Sequence, residues 1–195
     1  MINPDRLADT FSRLVQVDSV SRDEAAICSE LQNILEAMGA ETYVDDAGMA
    51  VGGNTGNLIA RLRGSVDAPA LLLNAHMDTV EPGKGVKPVY NDVVFTSDGT
   101  TILGADDKSA IAILLEVLTV LREDRLPHGP LELVLTICEE IGLQGAKNLD
   151  LSRLTAKFGY ALDATDTAGI CHPRAGRQSL ENCGAWKRRP RRRSS

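Results

Sequence analysis

A small set of side chains in this sequence could do chemistry together. They are His76 and Asp78 in LLLNAHMDTV, Asp106 and Asp107 in ILGADDKSA, Glu139 and Glu140 in LELVLTICEE, and Asp163 in GYALD. Each set follows an apolar stretch, which puts it where a strand leaves the core. Carboxylates gathered at one end of a sheet repel one another unless a cation joins them. One neutral imidazole with several carboxylates suits Zn²⁺, with Mn²⁺ or Co²⁺ as alternatives. In His76-Met77-Asp78 a two-residue step keeps both side chains on one side of an extended backbone. Asp78 can then accept the second ring N–H of His76 and orient the imidazole. In Glu139-Glu140 adjacent side chains diverge, so one can bind metal while the other faces a water as a base.

Each piece also has a plainer reading. His-x-Asp is a common string, and a Glu-Glu pair is usually a solvated surface. An Asp-Asp pair is usually a turn or a helix cap, and an Asp after a strand is often an N-cap. What favours the metal reading is that all of them fall at the ends of apolar strands in one chain. His128, in LPHGP, reads as a loop residue. Cys138 reads as a packed thiol rather than a nucleophile, since no His neighbours it in sequence.

The elements that must position these residues can be read from periodicity. Asn3-Pro4 is a helix start, a capping side chain followed by proline at the first helical position. Leu7, Phe11, Leu14 and Val15 follow at helical spacing. A second helix is expected over residues 23–38, with Ile27, Leu31, Ile34, Leu35 and Met38 on one face and Gly39 as its stop. Strands are expected over 42–44, 57–62, 71–75, 130–136 and 160–162. The apolar run 71–75 suits a strand buried on both faces. Residues 81–103 are rich in Gly, Pro, Asp and Thr and read as a long functional loop with one hairpin. A buried helix is expected over 109–121 and a short one over 144–149. Strands alternating with helices give an α/β fold, a sheet covered on both faces.

Composition narrows the class. The chain has 195 residues and 43% hydrophobic content, enough for one sizeable core and not the profile of a disordered chain. No apolar run reaches the roughly 18 residues of a membrane span. The N-terminus MINPDRLADTF has no basic region leading into an apolar core, so no signal peptide is expected. Cys28, Cys138, Cys171 and Cys183 are scattered, which suits reduced thiols and a cytoplasmic setting. Charge is uneven. Residues 171–195 carry eight Lys or Arg and one acid, a net of +7 within an overall −6, so the preceding residues carry −13.

The motifs LLLNAHMDTVEPG, FTSDGTTILGADDKSA, LTICEEIGLQGAKNL and GYALDATD together resemble the peptidase T-like branch of the dizinc aminoacylase and carboxypeptidase G family, over about residues 1–170. The resemblance implies a three-layer sandwich, a mostly parallel mixed sheet between helices. It implies two Zn²⁺ ions. His76, Asp106 and Asp163 would bind one, and Asp106 would bridge to a second that Glu140 also binds. The Asp106–Asp107 peptide would be cis. Asp78 would orient His76, and Glu139 would be the general base, taking a proton from a water shared by the metals and passing it to the leaving amine. The implied substrate is a short peptide, most like a tripeptide losing its N-terminal residue. The runner-up within the family is an N-acyl amino acid amidohydrolase or carboxypeptidase.

The family chain is about twice as long. It adds a lid and dimerisation domain and a late histidine for the second zinc. That implies an incomplete second site here, little or no peptidase activity for the chain as given, and a homodimer only with the lid. The basic stretch 171–195 has no hydrophobic periodicity. Codons can be chosen for residues 170–195 so that a one-base offset reads ATRAPAGKAWKIVGHGKDAHAGAAP, which resembles the start of the family's lid domain. The stretch is therefore expected to be out-of-frame and disordered rather than a nucleic-acid-binding arm. A non-catalytic metal-binding fragment docking on nucleic acid through this tail is the remaining alternative. No membrane partner is expected.

Overall fold

The computed structural model describes residues 1–91 and 93–163, and the basic stretch 171–195 lies outside them. Helix α1 (Pro4–Val15) starts as its sequence dictates. The Asn3 side chain accepts hydrogen bonds from the Asp5 and Arg6 N–H groups, each at 3.1 Å. Its inner face buries Phe11, Leu14 and Val15. Helix α2 (Ala25–Ala37) buries Ile27, Cys28, Leu31 and Leu35 and stops at Gly39, whose φ of +89° is the left-handed conformation that favours glycine.

Strand β1 (Glu41–Val44), a short helix α3 (Ala47–Val51) and strand β2 (Leu58–Leu62) follow, then β3 (Leu71–His76). Strands β4 (Pro88–Asn91) and β5 (Val94–Ser97) form the hairpin expected inside residues 81–103. Helix α4 (Ala105–Glu123), strand β6 (Leu131–Thr136), the short helix α5 (Gln144–Lys147), a 3₁₀ turn over Leu151–Arg153 and strand β7 (Gly159–Ala161) complete the described residues. The α4 span includes Asp106 and Asp107 in non-helical backbone conformations, so the regular helix begins after them.

The main sheet has the order β1-β2-β6-β3-β7. The β1–β2 and β2–β6 pairs are antiparallel, while β3 pairs with both β6 and β7 in parallel. The sheet is mixed, and helices pack against it. Every residue of β6 is buried, and since alternate residues face opposite ways, both of its faces are covered. Helix α4 lies against β3 and α1, and α2 lies against β1 and β2. Leu31, Leu35, Leu58, Ile111, Leu133 and Ile137 meet in the core. Each such side chain contributes about 1.5–3 kcal/mol by leaving water. Arg6 and Glu116 lock α1 to α4 through Nε–Oε2 and Nη2–Oε1 contacts of 2.6 and 2.9 Å. Residues Met1–Asp163 form one compact unit. No helix among the described residues is long and apolar enough to cross a membrane.

Candidate metal centre

Because β3, β6 and β7 run in the same direction, their carboxyl ends share one edge of the sheet. Ligand sites in open α/β sheets lie just beyond that edge. His76 is the last residue of β3. Glu139 and Glu140 lie in the loop after β6, and Asp163 follows β7, anchored by the Leu162 N–H bonded to Asn74 O at 3.1 Å. Asp106 enters from the start of α4, where the Asp106–Asp107 peptide is cis. All the residues singled out in the sequence therefore come to one place.

The imidazole of His76 is the hub. Its Nδ1 lies 2.9 Å from the main-chain oxygen of Asp78 and 3.4 Å from the Asp78 carboxylate. The expected carboxylate partner is thus present, but the nearer acceptor is the main chain. The other ring nitrogen, Nε2, faces Asp106 Oδ1 at 3.0 Å and Glu139 Oε2 at 4.0 Å. Two trios can bring one ligand atom each to within 4.8 Å of one another: His76, Asp106 and Glu140, and His76, Glu139 and Asp163. They share the histidine and divide the acidic pair between them. The grouping of His76, Asp106 and Asp163 implied by the resemblance is not one of these two trios.

The electrostatics are those of an acidic cluster short of positive charge. Burial opposes protonation of His76. The hydrogen bond and charge of Asp78, with Asp107 and Asp106, nonetheless carry it up to about 10. Burial pushes the carboxyls of Glu139, Glu140 and Asp163 above their usual range, and neighbouring acids push the same way. Burial carries Asp107 up to about 7. Among the described residues, no Lys or Arg forms an ion pair with Asp106, Glu139, Glu140 or Asp163. A divalent cation fits this donor set: an imidazole nitrogen and several carboxylate oxygens, converging with no Lys or Arg paired to them among the described residues.

Asp78 differs from the rest. It is fully buried. Burial alone would raise its pKa, but hydrogen bonds from His76, Ser21 and the Glu139 N–H hold it below the usual carboxylate range. Its Oδ1 accepts from the Glu139 N–H at 2.8 Å, and Oδ2 from Ser21 Oγ at 2.6 Å and the Glu140 N–H at 3.2 Å. Asp78 therefore ties the His76 segment to the Glu139-Glu140 segment. Asn57 anchors the same loop from the other side. Its Oδ1 accepts from the Ile137 N–H at 3.1 Å, and its Nδ2 donates to Gly145 O at 3.0 Å and Asp45 Oδ2 at 2.8 Å. Gly145 admits no larger residue, since an added Cβ would sit 2.3 Å from Ile137 O and 2.5 Å from Asn57 Oδ1. Sequence reading missed Ser21, Glu24 and Asn57. Ser21 stands just before the helix expected over 23–38 and Glu24 in its first turn, so nothing local marks them as partners of the site. Cys138 is buried and free, and burial beside Glu24 drives its thiol up to about 12, consistent with a packed thiol.

Residues 57–170, more than half of the chain, match the model of peptidase family M28. The chain belongs to that family. Among its relatives, the protein YqjE of Bacillus subtilis (strain 168) is 44% identical over 169 residues, covering 87% of this chain and 46% of that one. The crystal structure of aminopeptidase PepT from Bacillus cereus ATCC 10987 superposes with a TM-score of 0.82 at 48% identity, covering 84% of this chain and 44% of PepT. That of a tripeptidase from Staphylococcus aureus subsp. aureus Mu50 superposes with a TM-score of 0.83 at 44% identity, covering 85% and 45%. The peptidase T likeness read from the motifs is thus found again in the fold, and the chain spans under half the length of each of these relatives.

Proposed function

We propose that this chain is the metal-binding part of a zinc-dependent exopeptidase that hydrolyses short peptides, most like a tripeptide aminopeptidase. The observation that carries this reading is the convergence of His76, Asp106, Glu139, Glu140 and Asp163 from three parallel strand ends and one helix start, with no Lys or Arg among the described residues paired to the acids. The likeness to an aminopeptidase and a tripeptidase supports the substrate class.

In this reading His76, Asp106, Glu140 and Asp163 would hold the divalent ions. Bound there, the ions would polarise the scissile carbonyl and make a water more acidic. Glu139 acts as the general base, taking the proton of the attacking water and returning it to the leaving amine. Burial holds its carboxyl above the usual range, toward the pH at which a base can both accept and release a proton. Asp78 fixes both the His76 ring and the backbone of the acidic pair.

The test has two readouts. Equilibrium dialysis of the purified chain should show bound zinc or cobalt, lost in His76→Ala. A peptide panel on a family chain of full length should show cleavage of a tripeptide with a free N-terminus and none of its acetylated form. Acceptance of the acetylated form would point instead to an amidohydrolase. The 195-residue chain itself is expected to turn over tripeptide weakly or not at all, and robust hydrolysis by it would overturn that part of the reading.

A further inference from the structure

Glu24 stands just before α2, and its side chain is fully buried. Its Oε1 accepts from the Cys138 backbone N–H at 3.0 Å and from the Cys138 thiol at 3.4 Å. Cys138 has φ of +52°, the left-handed conformation that a residue with a side chain adopts at a cost. The next two N–H groups, of Glu139 and Glu140, point at the buried carboxylate of Asp78. Three consecutive backbone N–H groups are therefore collected by two buried carboxyls reaching in from distant parts of the chain. The turn they hold is the one from which the acidic pair separates, Glu140 toward His76 and Asp106, Glu139 toward His76 and Asp163. Without Glu24 the Cys138 N–H would be left buried and unpaired, and the left-handed turn would rest on the Gln144 N–H to Cys138 O bond and the two Asp78 contacts.

We propose that Glu24 is a positioning residue of the metal centre: its buried carboxyl holds Cys138 in the left-handed turn that sends Glu139 and Glu140 to opposite trios. Glu24 touches neither metal nor substrate. The inference rests on the metal reading above, and its test separates the two.

The experiment is a Co²⁺ titration of the full chain, followed by visible absorbance, on the wild type, Glu24→Ala, Glu24→Gln, Cys138→Gly and the double variant Glu24→Ala/Cys138→Gly. Glu24→Ala should weaken Co²⁺ binding roughly 10- to 100-fold, the range for residues that orient metal ligands. Glu24→Gln keeps an acceptor oxygen and should stay within about threefold of wild type. Glycine adopts the left-handed turn without strain. In the Cys138→Gly background the loss caused by Glu24→Ala should therefore shrink to a few-fold, a coupling that a merely structural Glu24 would not show. If Glu24→Ala does not fold, the double variant carries the test and should bind within a few-fold of Cys138→Gly alone. Wild-type affinity in Glu24→Ala, or an undiminished loss in the double variant, overturns the positioning role while leaving the metal reading intact. A wild-type chain that binds no Co²⁺ overturns the metal reading itself.

Discussion

Strand β6 has acids near both of its ends, Glu132 buried and Glu139 and Glu140 half-buried, and the two ends treat them in opposite ways. At its start, Glu132 is surrounded by donors. Its carboxylate accepts from the Thr155 N–H at 3.0 Å, the Thr155 hydroxyl at 2.7 Å and the Ala156 N–H at 3.0 Å, with Arg61 at 3.6 Å. Burial alone would raise its pKa, but these partners draw it below the usual range. Past the other end, Glu139 and Glu140 face more acids than donors, and their carboxyls are pushed up. A buried carboxylate that the protein satisfies serves the fold. A cluster that the protein gathers and leaves unneutralised serves something that arrives from outside.

Four measurements press on that contrast. The largest effect should come from supplying the outside partner. Zn²⁺ at a hundredfold excess over its dissociation constant should stabilise the chain by about 2.7 kcal/mol. That is a rise of roughly 5–10 °C in melting temperature for a domain of this size, reversed by chelator and absent in His76→Ala. Next, Glu132→Ala should cost about 2 kcal/mol, because it strands the donors around it. The loss should be equal with and without metal in urea titrations, and a metal-dependent loss would erase the distinction between the two ends. Glu140→Gln should do the reverse of Glu132→Ala. It should stabilise the metal-free chain by about 0.5 kcal/mol through relieved repulsion while removing the stabilisation by zinc.

The smallest effect is a difference of slope with pH. Glu132 has its folded pKa below the unfolded one. Its contribution is present above about 4.5 and lost as pH falls through the lower folded value. Glu139, Glu140 and Asp163 have folded pKa values above the unfolded ones. They favour the folded metal-free chain in acid, and that advantage disappears as pH rises past their raised values. Replacing Glu132 by Gln should flatten the acid limb of the stability curve below about pH 4.5. Replacing Glu139 or Glu140 by Gln should flatten the decline above it. Identical changes in both sets would break the comparison.

The candidate site was legible in the sequence to the extent that its residues are local interruptions. An acid or imidazole at or just past the end of an apolar strand is out of place, and His76, Glu139, Glu140 and Asp163 stand out that way, whereas Asp106, expected at a strand end, lies at the start of α4. Strand β3, expected to be buried on both faces, is only half-buried from Leu71 to Asn74, but the sheet was legible from the apolar runs that became β3 and β6. The supports of the site were not. Glu24 and Cys138 are 114 positions apart, and Asn57 and Ile137 are 80 apart. Only the folded chain makes them neighbours. A glutamate before a helix looks the same in sequence whether it caps in water or is buried under a distant turn. Helix α3, only five residues long, was missed because it is too short to show a period. The Asp78 main-chain oxygen took the place expected of its carboxylate at His76, since that carboxylate is turned toward the Glu139 and Glu140 N–H groups.

The strand order sets a schedule for the ribosome. In the finished sheet β2 and β3, consecutive in sequence, do not touch, because β6 lies between them. β6 begins at Leu131, 55 residues after β3 ends at His76. At about 5–20 residues per second, the β6-facing backbone edge of β3 waits roughly 3–11 s for the strand that joins it to β2. For that interval the nascent chain offers two open strand edges to solvent and to its neighbours on the polysome. A synonymous change that slows translation between codons 77 and 131 lengthens the exposure without altering one atom of the folded protein.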